Sequence, residues 1–420
     1  MGRRILCKAF SAGCESFLIN CSTSVNFRKR GLQNPPYYDI LIENGGGSVN
    51  PIIKWPGGKS GEINKIRHLI PQFDRYIEPF FGGGALYFHL EPEKALINDI
   101  SSDLIHFYNL VKAQDQTLYG LLMCYNDSFA NLIAVCQQNI QRILSIFEDL
   151  EQARLSEGAL SITVSRLITD LTPQISAGFP QPLVLDHRAF YRELRRMVTD
   201  KYLRTVASHR KKPFSHEDLR ENLITGFTSG YYMYFRRVFN DIGLKRIAEQ
   251  TPQYRAANFY FIREYCYGSM FRYNANGEFN IPYGGMSYNR KDMKAKIEAM
   301  FCPRMAQLFS GTQCHCLDFD DFLATAGLTG DDFMFLDPPY DTDFSNYEGK
   351  DFTKRDQERL AQALKNTPAK FILVIKNTDF IYDLYKDCFN ILSFDKQYTY
   401  NVRSRNARGA EHLIVTNLPV

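Results

Sequence analysis

The 420-residue sequence predicts an α/β fold in which a mainly parallel sheet is split by a long helical insertion. Three observations predict it. Short β-branched or aromatic runs bounded by glycine, proline or aspartate occur from Ile52 onward and again after the middle of the chain. Between about Ser101 and Pro252 the pattern changes to long helical periodicities with almost no strand-like runs. Finally, Phe333-Met334-Phe335-Leu336 is an unbroken apolar run of the kind that suits a strand covered on both faces, as in a parallel sheet.

Taken in order, residues 1–47 carry Arg3, Arg4, Lys8 and Arg28-Lys29-Arg30 with few acids and many serines. This composition loosely imitates a transit peptide, but a poorly ordered extension ending in the linker-like Gly45-Gly46-Gly47-Ser48 is the expectation. Arg75 to Pro79 and Ala95 to Asp99 read as strands flanking a helix from Ala85 to Leu90, a compact βαβ unit. Asp186 to Val206 and Gly230 to Gln250 read as helices. The basic stretches around Arg204, His209-Arg210-Lys211-Lys212 and Arg236-Arg237 suit solvated helix faces or phosphate contacts. Arg272 to Tyr283 alternates like a β-hairpin, with Asn276-Gly277 suggesting a type I′ turn. Strands are then expected at Gln313 to Leu317, Phe333 to Asp337, Phe371 to Lys376, Phe389 to Asp395 and His412 to Asn417. Helices are expected at Lys354 to Asn366 and Phe380 to Asp387. The implied partition is an extension (1–47), a first α/β part (48–120), a helical insertion with the hairpin (121–299) and a second α/β part (300–420).

Composition narrows the function classes. The net charge of +4 neither demands nor opposes a polyanionic partner. Ten scattered cysteines without a Cys-x-x-Cys pair argue against a zinc knuckle or disulfide framework and fit a reducing cytoplasm. Cys314-His315-Cys316 is expected to be buried strand rather than a metal site, because neighbouring strand residues face opposite ways. No apolar run approaches the ~18–20 residues of a spanning helix, so no integral membrane role is expected.

Two places carry chemistry. Glu78-Pro79-Phe80-Phe81-Gly82-Gly83-Gly84 lies where a strand should pass into a helix, and Asp99 lies at the tip of the next strand. Glycines there let backbone approach a ligand, and the carboxylate can accept from both ribose hydroxyls of a nucleoside. A dinucleotide turn would need a third glycine at Tyr87, so a nucleoside with a short tail fits better. Upstream, Lys54-Trp55-Pro56-Gly57-Gly58-Lys59 resembles a phosphate loop only superficially, since that motif's first glycine falls at Ile53; a plain structural turn is the other reading. The second place is Asp337-Pro338-Pro339-Tyr340, directly after the apolar run. The prolines must leave the sheet, and the tip offers a carboxylate, a proline carbonyl and an aromatic ring. Asp337 and Pro338 could accept the two hydrogens of a planar base's amino group while Tyr340 stacks on it for about 1–3 kcal/mol; an ordinary strand end is the bland alternative.

Together these motifs resemble the Dam-type DNA adenine methylases. The resemblance runs from Lys54–Lys59 through Glu78-Pro79-Phe80, Gly82, Gly84 and Asn98-Asp99-Ile100. It continues through Arg272-Tyr273-Asn274, Gly277 to Gly284, Asp337 to Tyr340 and Glu411 to Asn417. It implies a Rossmann-like class I methyltransferase sheet with an inserted, mainly helical target-recognition domain. It also implies an S-adenosylmethionine-dependent, site-specific transfer of methyl to adenine N6, on a base flipped out of double-stranded DNA. By the same resemblance Trp55, Lys59, Asp99 and Asp337 contact the cofactor, Phe80, Gly82 and Gly84 line its pocket, and Asp318 stands near its adenine. Asp337, Pro338 and Tyr340 hold the target adenine, and the hairpin reads DNA. Arg272 is the expected base contact, followed by Asn274 and Asn280, although Asn280 and Glu278 could equally serve only the hairpin. Gly268-Ser269 stands where GATC methylases often carry Asn-Gly, which weighs against a GATC target, and the insertion from about Asn126 to Ser229 is unusually long. No metal is expected, and a cognate restriction endonuclease is conceivable within a restriction-modification system. The rivals are an RNA base methyltransferase, against which the Lys-Trp-Pro-Gly-Gly-Lys and Arg-Tyr-Asn motifs weigh, and a silent DNA-binding regulator, against which Asp99 and Asp337 weigh.

Overall fold

A computed structural model describes residues 49–58, 61–180, 183–339, 346–347, 350–397 and 409–419. After a short helix α1 (Ile63–Ile66) the chain builds β1 (Arg75–Glu78), α2 (Ala85–Leu90) and β2 (Ala95–Asn98). Helix α3 (Ser102–Lys112) leads into α4 (Gln116–Gln138), α5 (Ile140–Glu151), α6 (Glu157–Ala177), α7 (His187–Lys211), α8 (His216–Gly243) and α9 (Pro252–Tyr265). Helices α10 (Lys294–Met300) and α11 (Pro303–Ser310) bring the chain back to the sheet at β3 (Thr312–His315). There follow α12 (Phe319–Thr325), β4 (Asp332–Leu336), the small pair β5 (Asn346–Tyr347) and β6 (Lys350–Asp351), α13 (Lys354–Asn366), β7 (Lys370–Lys376), α14 (Asp379–Tyr385), β8 (Asn390–Gln397) and β9 (Gly409–Thr416).

The main sheet has seven strands in the order β3-β2-β1-β4-β7-β9-β8. The five from β3 to β7 are parallel, and β9 runs antiparallel between β7 and β8. Every residue of β4 is buried, as its apolar run predicts. At the opposite end from the site, Arg75 grips Asp332 through Nε–Oδ1 (2.9 Å) and Nη2–Oδ2 (2.7 Å), pairing the two residues that face each other in the β1–β4 ladder. A bidentate pair of this geometry holds register.

Side-chain caps start the long helices. Asp115, Ser156, Asp186, Ser215 and Thr251 each accept from the third residue beyond, and Thr251 is followed by proline at the first helical position. Where the pattern suggests a helix opening near Gly230, α8 instead begins at His216 and ends at Gly243. Its Gly226 and Gly230 are points of close packing: a Cβ at Gly230 would stand 2.9 Å from Leu194 Cα on α7.

Two expectations are corrected. The hairpin turn is not type I′: Gly277 N–H donates to Asn274 O (3.0 Å) and only Gly277, not Asn276, has positive φ. Asn274 Oδ1 accepts from both Asn276 N–H and Glu278 N–H (3.0 Å each), so the side chain builds a wider turn than the dipeptide rule assumes. The hairpin is also thin, held as a ladder only at the isolated bridges Tyr273↔Phe279 and Cys266↔Tyr283. Likewise, Cys314, His315 and Cys316 are not core: β3 is the sheet's edge strand, leaving the first two half-buried and Cys316 exposed.

The helical segment leaves the sheet after β2 and returns at β3, and one side chain fastens both ends. Asn98, buried at 1% exposure, donates from Nδ2 to Pro79 O (3.0 Å) and Leu317 O (3.1 Å), and its Oδ1 accepts from Leu317 N–H (2.9 Å). Asn98→Ala strands these backbone groups and is expected to cost about 2–3 kcal/mol in urea unfolding, and a loss below about 1 kcal/mol would contradict the assignment.

Candidate active site

The carboxyl ends of β1, β2 and β4, with the chain just beyond β3, surround one cavity of about 330 Å³. Its walls include Trp55, Glu78, Phe80, Gly82, Gly84, Asp99, Asp318, Asp337 and Pro338. This is the crevice that an open α/β sheet leaves at its topological switch point, here between β1 and β4.

The glycine turn shapes the first wall. Gly82 and Gly84 have φ of +50° and +64°, the left-handed region that other residues occupy at a cost. They are also crowded: a Cβ on Gly82 would fall 2.6 Å from Trp55 Cδ1, and one on Gly84 2.5 Å from Phe81 Cζ. Tyr108 Oη donates to Gly82 O (3.1 Å), and Gly82 N–H donates to Asp99 Oδ2 (2.8 Å). Asp99 Oδ1 accepts from Ser101 N–H (2.9 Å), so each oxygen is anchored once and keeps capacity for another donor. Burial pushes the Asp99 carboxyl up to about 6, against the pull of those two backbone donors.

Glu78, at the end of β1, is 2% exposed and accepts from Tyr76 Oη (2.8 Å). Its burial, despite that hydrogen bond and reinforced by the charges of Asp337 and Asp99, drives it well above the usual carboxylate range. The neutral acid is therefore favoured, and it spares the cavity a further negative charge.

Helix α13 steadies the other wall. Thr353 and Asp356 close a capping box at its start. Gln357, 0% exposed, donates from Nε2 to Pro339 O (3.0 Å) and so holds the chain leaving β4. Arg359 pairs with Asp318 (2.6 Å), Asp320 (3.1 Å) and Asp356 (3.0 Å), and its guanidinium lies over the Phe319 ring at 4.8 Å. Phe80 packs against Phe319 and Phe352, giving that side aromatic faces suited to a planar base.

Trp55, Phe80, Gly82, Gly84, Asp99, Asp318, Asp337 and Pro338 thus share one cavity. Lys59 and Tyr340 lie outside the described residues. Arg272, Asn274 and Asn280 do not line the cavity; they occupy the hairpin. Arg272 is exposed, its Nε donating to Asn280 Oδ1 (2.9 Å), while Asn274 Nδ2 donates to Glu278 Oε2 (2.9 Å). Sequence reasoning missed Gln357, Arg359 and the role of Glu78. For Gln357 a signal existed, since it takes an apolar-face position of α13 in register with Leu360, Ala361 and Leu364.

Residues 55–159 and 184–400 match the D12 class N6 adenine-specific DNA methyltransferase family. Among similar proteins, the type II methyltransferase M.CviBI of Paramecium bursaria Chlorella virus NC1A is 24% identical over 377 residues, covering 88% of this chain and all of that protein. M.MjaIII of Methanocaldococcus jannaschii is 25% identical over 389 residues, covering 88% of this chain and 99% of its own length. The DNA adenine methylase of Escherichia coli is 23% identical over 333 residues, covering 78% of this chain and 80% of its own. The stretch 160–183, which includes most of α6, falls outside the family match.

The two glycine classes in the cavity wall should separate on mutation. Gly84→Ala meets a ring and a left-handed backbone and is expected to lose about 2–4 kcal/mol by thermal or urea unfolding. At Gly58 a new Cβ would find its nearest neighbour, Trp55 O, at 3.6 Å, so Gly58→Ala should stay within about 0.5 kcal/mol of the parent.

Proposed function

The chain belongs to the D12 class N6 adenine-specific DNA methyltransferases, and from that premise we propose that its cavity holds S-adenosylmethionine beside an adenine swung out of duplex DNA. The reaction, methyl transfer to adenine N6 at specific DNA sites, is the family's. What carries the reading of the site is the meeting of Asp99 and Asp337, from the ends of two strands, in one cavity with a glycine turn and aromatic walls.

The residues present suit such a cofactor. The remaining acceptor capacity of Asp99 matches a ribose diol, Phe80 and Phe319 offer faces for its adenine, and the backbone at Gly82 and Gly84 admits close approach. Arg359 fixes Asp318 at the base end of that pocket. When bound, S-adenosylmethionine supplies an electrophilic methyl group on a cationic sulfur.

The protein's task is to make a poor nucleophile attack. The N6 lone pair of adenine is delocalised into the ring, and in a stacked duplex the amine is also out of reach. Asp337 and the Pro338 carbonyl, as acceptors for the two amine hydrogens, favour a pyramidal nitrogen and offset the positive charge that grows as the new N–C bond forms. Gln357, by holding Pro339 O, keeps this pair of acceptors in place. We assign target recognition to the helical segment and hairpin. With Nε spent on Asn280, the two terminal nitrogens of Arg272 are the donors that a guanine O6/N7 edge accepts, a contact worth about 1–3 kcal/mol of discrimination. Asn274, whose amide serves the turn, is left a structural role.

Two measurements test this reading. Asp337→Ala should lower single-turnover methylation by about 10²–10³-fold while the protein still binds S-adenosylhomocysteine; near-parental rates would remove Asp337 from the chemistry. For Asp99, a raised folded value means that the carboxylate is present above about pH 6 and takes up a proton as pH falls through it. Cofactor affinity should therefore be flat above that pH and fall by up to about tenfold per unit below it, a dependence that Asp99→Asn should abolish in isothermal titrations.

A further inference from the structure

One buried cation stands between the cofactor cavity and the DNA-reading hairpin. Arg263, near the end of α9, is 1% exposed. Its guanidinium lies 5.1 Å from the Trp55 ring and 4.5 Å from the Phe271 ring, and those rings are themselves 5.2 Å apart. Trp55 walls the cavity and closes over Gly82; Phe271 immediately precedes Arg272.

Its hydrogen bonds run to the same two places. Nη1 donates to Met270 O (2.9 Å), and Nη2 donates to Ser269 O (2.8 Å) and to Lys54 O (3.4 Å). The next residue, Glu264, holds the other side of the same residue: its Oε1 accepts from Lys54 N–H (3.2 Å) and from Lys296 Nζ (2.7 Å). Consecutive residues of α9 thus clasp the chain that presents Trp55 and, on the other side, the chain that presents Arg272. The clasped segment is also strained at Ser269, whose φ of +52° is left-handed without glycine's freedom.

Among the described residues no carboxylate is hydrogen-bonded to Arg263; carbonyl oxygens, two ring faces and the nearby charge of Glu264 support it, and its Nε is unpartnered. A buried guanidinium with no carboxylate hydrogen-bonded to it is a costly way to fill space, which apolar side chains do better. It suits a joint, because one side chain holds both rings and the backbone on both sides through directed contacts.

We infer that Arg263 is a positioning residue coupling occupancy of the cofactor cavity, through Trp55, to the setting of the Ser269–Arg272 segment that reads DNA. This rests on the proposed function of the cavity. By reciprocity, DNA bound at the hairpin then tightens the cofactor's site by the same factor.

Trp55 is the only tryptophan in the chain, so its emission reports the joint directly. S-adenosylhomocysteine is titrated with and without a saturating duplex containing the sequence that the enzyme methylates in plasmid DNA. The parent protein should bind S-adenosylhomocysteine about tenfold more tightly with the duplex present. In Arg263→Lys, and in Phe271→Leu, which removes the far ring and leaves Arg263 itself intact, the ratio should fall below about twofold with the fold retained by circular dichroism. A parent ratio of one, or a parental ratio in the folded variants, overturns the coupling while leaving the cofactor site standing. Should Arg263→Lys not fold, Phe271→Leu alone decides. Absence of S-adenosylhomocysteine binding to the folded parent in isothermal titrations overturns the proposed function, and the coupling with it.

Discussion

Adjacent parallel strands cannot be joined by a tight turn, and this constraint creates the site. β1 and β4 lie side by side, yet the chain beyond β1 turns through glycines toward α2 while the chain beyond β4 departs through two prolines. The gap between these exits is the cavity. Arg75 and Asp332 fix the register of the pair at the far end, so the height of Glu78 relative to Asp337 is set by a contact that never touches the cavity. The exits then differ in chemistry because their backbones differ: glycines open one side to close approach, and prolines stiffen the other.

The charges around the cavity are arranged rather than merely gathered. Three carboxyls, Glu78, Asp99 and Asp337, converge from two sides, and a cluster of bare carboxylates would be self-defeating. Burial pushes the Glu78 carboxyl up, toward its neutral form, and backbone donors pull against the same effect at Asp99. Arg359 absorbs a second acidic group, Asp318, Asp320 and Asp356. What remains is a limited negative potential, suited to a cationic sulfur donor and to an amine that becomes cationic during attack.

The sheet and its motifs were legible in the sequence because the signals there are local. The apolar run of β4, the glycines after β1 and the prolines after Leu336 each state a backbone requirement within a few residues, and helices α2 and α13 begin and end where their patterns say. The features that escaped depend on distant partners. The half-burial of Cys314 and His315 follows from β3 being an edge strand, which only the strand order reveals, and Cys316 lies just beyond that strand. The turn at Gly277 was misjudged because the Asn274 amide, not the Asn-Gly dipeptide, directs it. Arg359 and Arg263 act on residues in other elements, so no spacing rule marks them, and the helical spacing that marks Gln357 as inward-facing does not reveal its partner Pro339. Helix α8 starts earlier and ends earlier than the expected Gly230 to Gln250, and its Gly226 and Gly230 are where α7 packs closely.

Asn98 joins chain segments 219 positions apart, since its amide pairs with Leu317. On a ribosome, β2 therefore emerges long before its neighbour β3, and the edge of the sheet must wait, unpaired, while the helices between them are made. The helical segment can begin to pack during that interval, its contacts being more local than those of the sheet. A longer segment, such as one that carries the stretch around α6, lengthens the wait without altering the latch from Asn98 to Pro79 and Leu317.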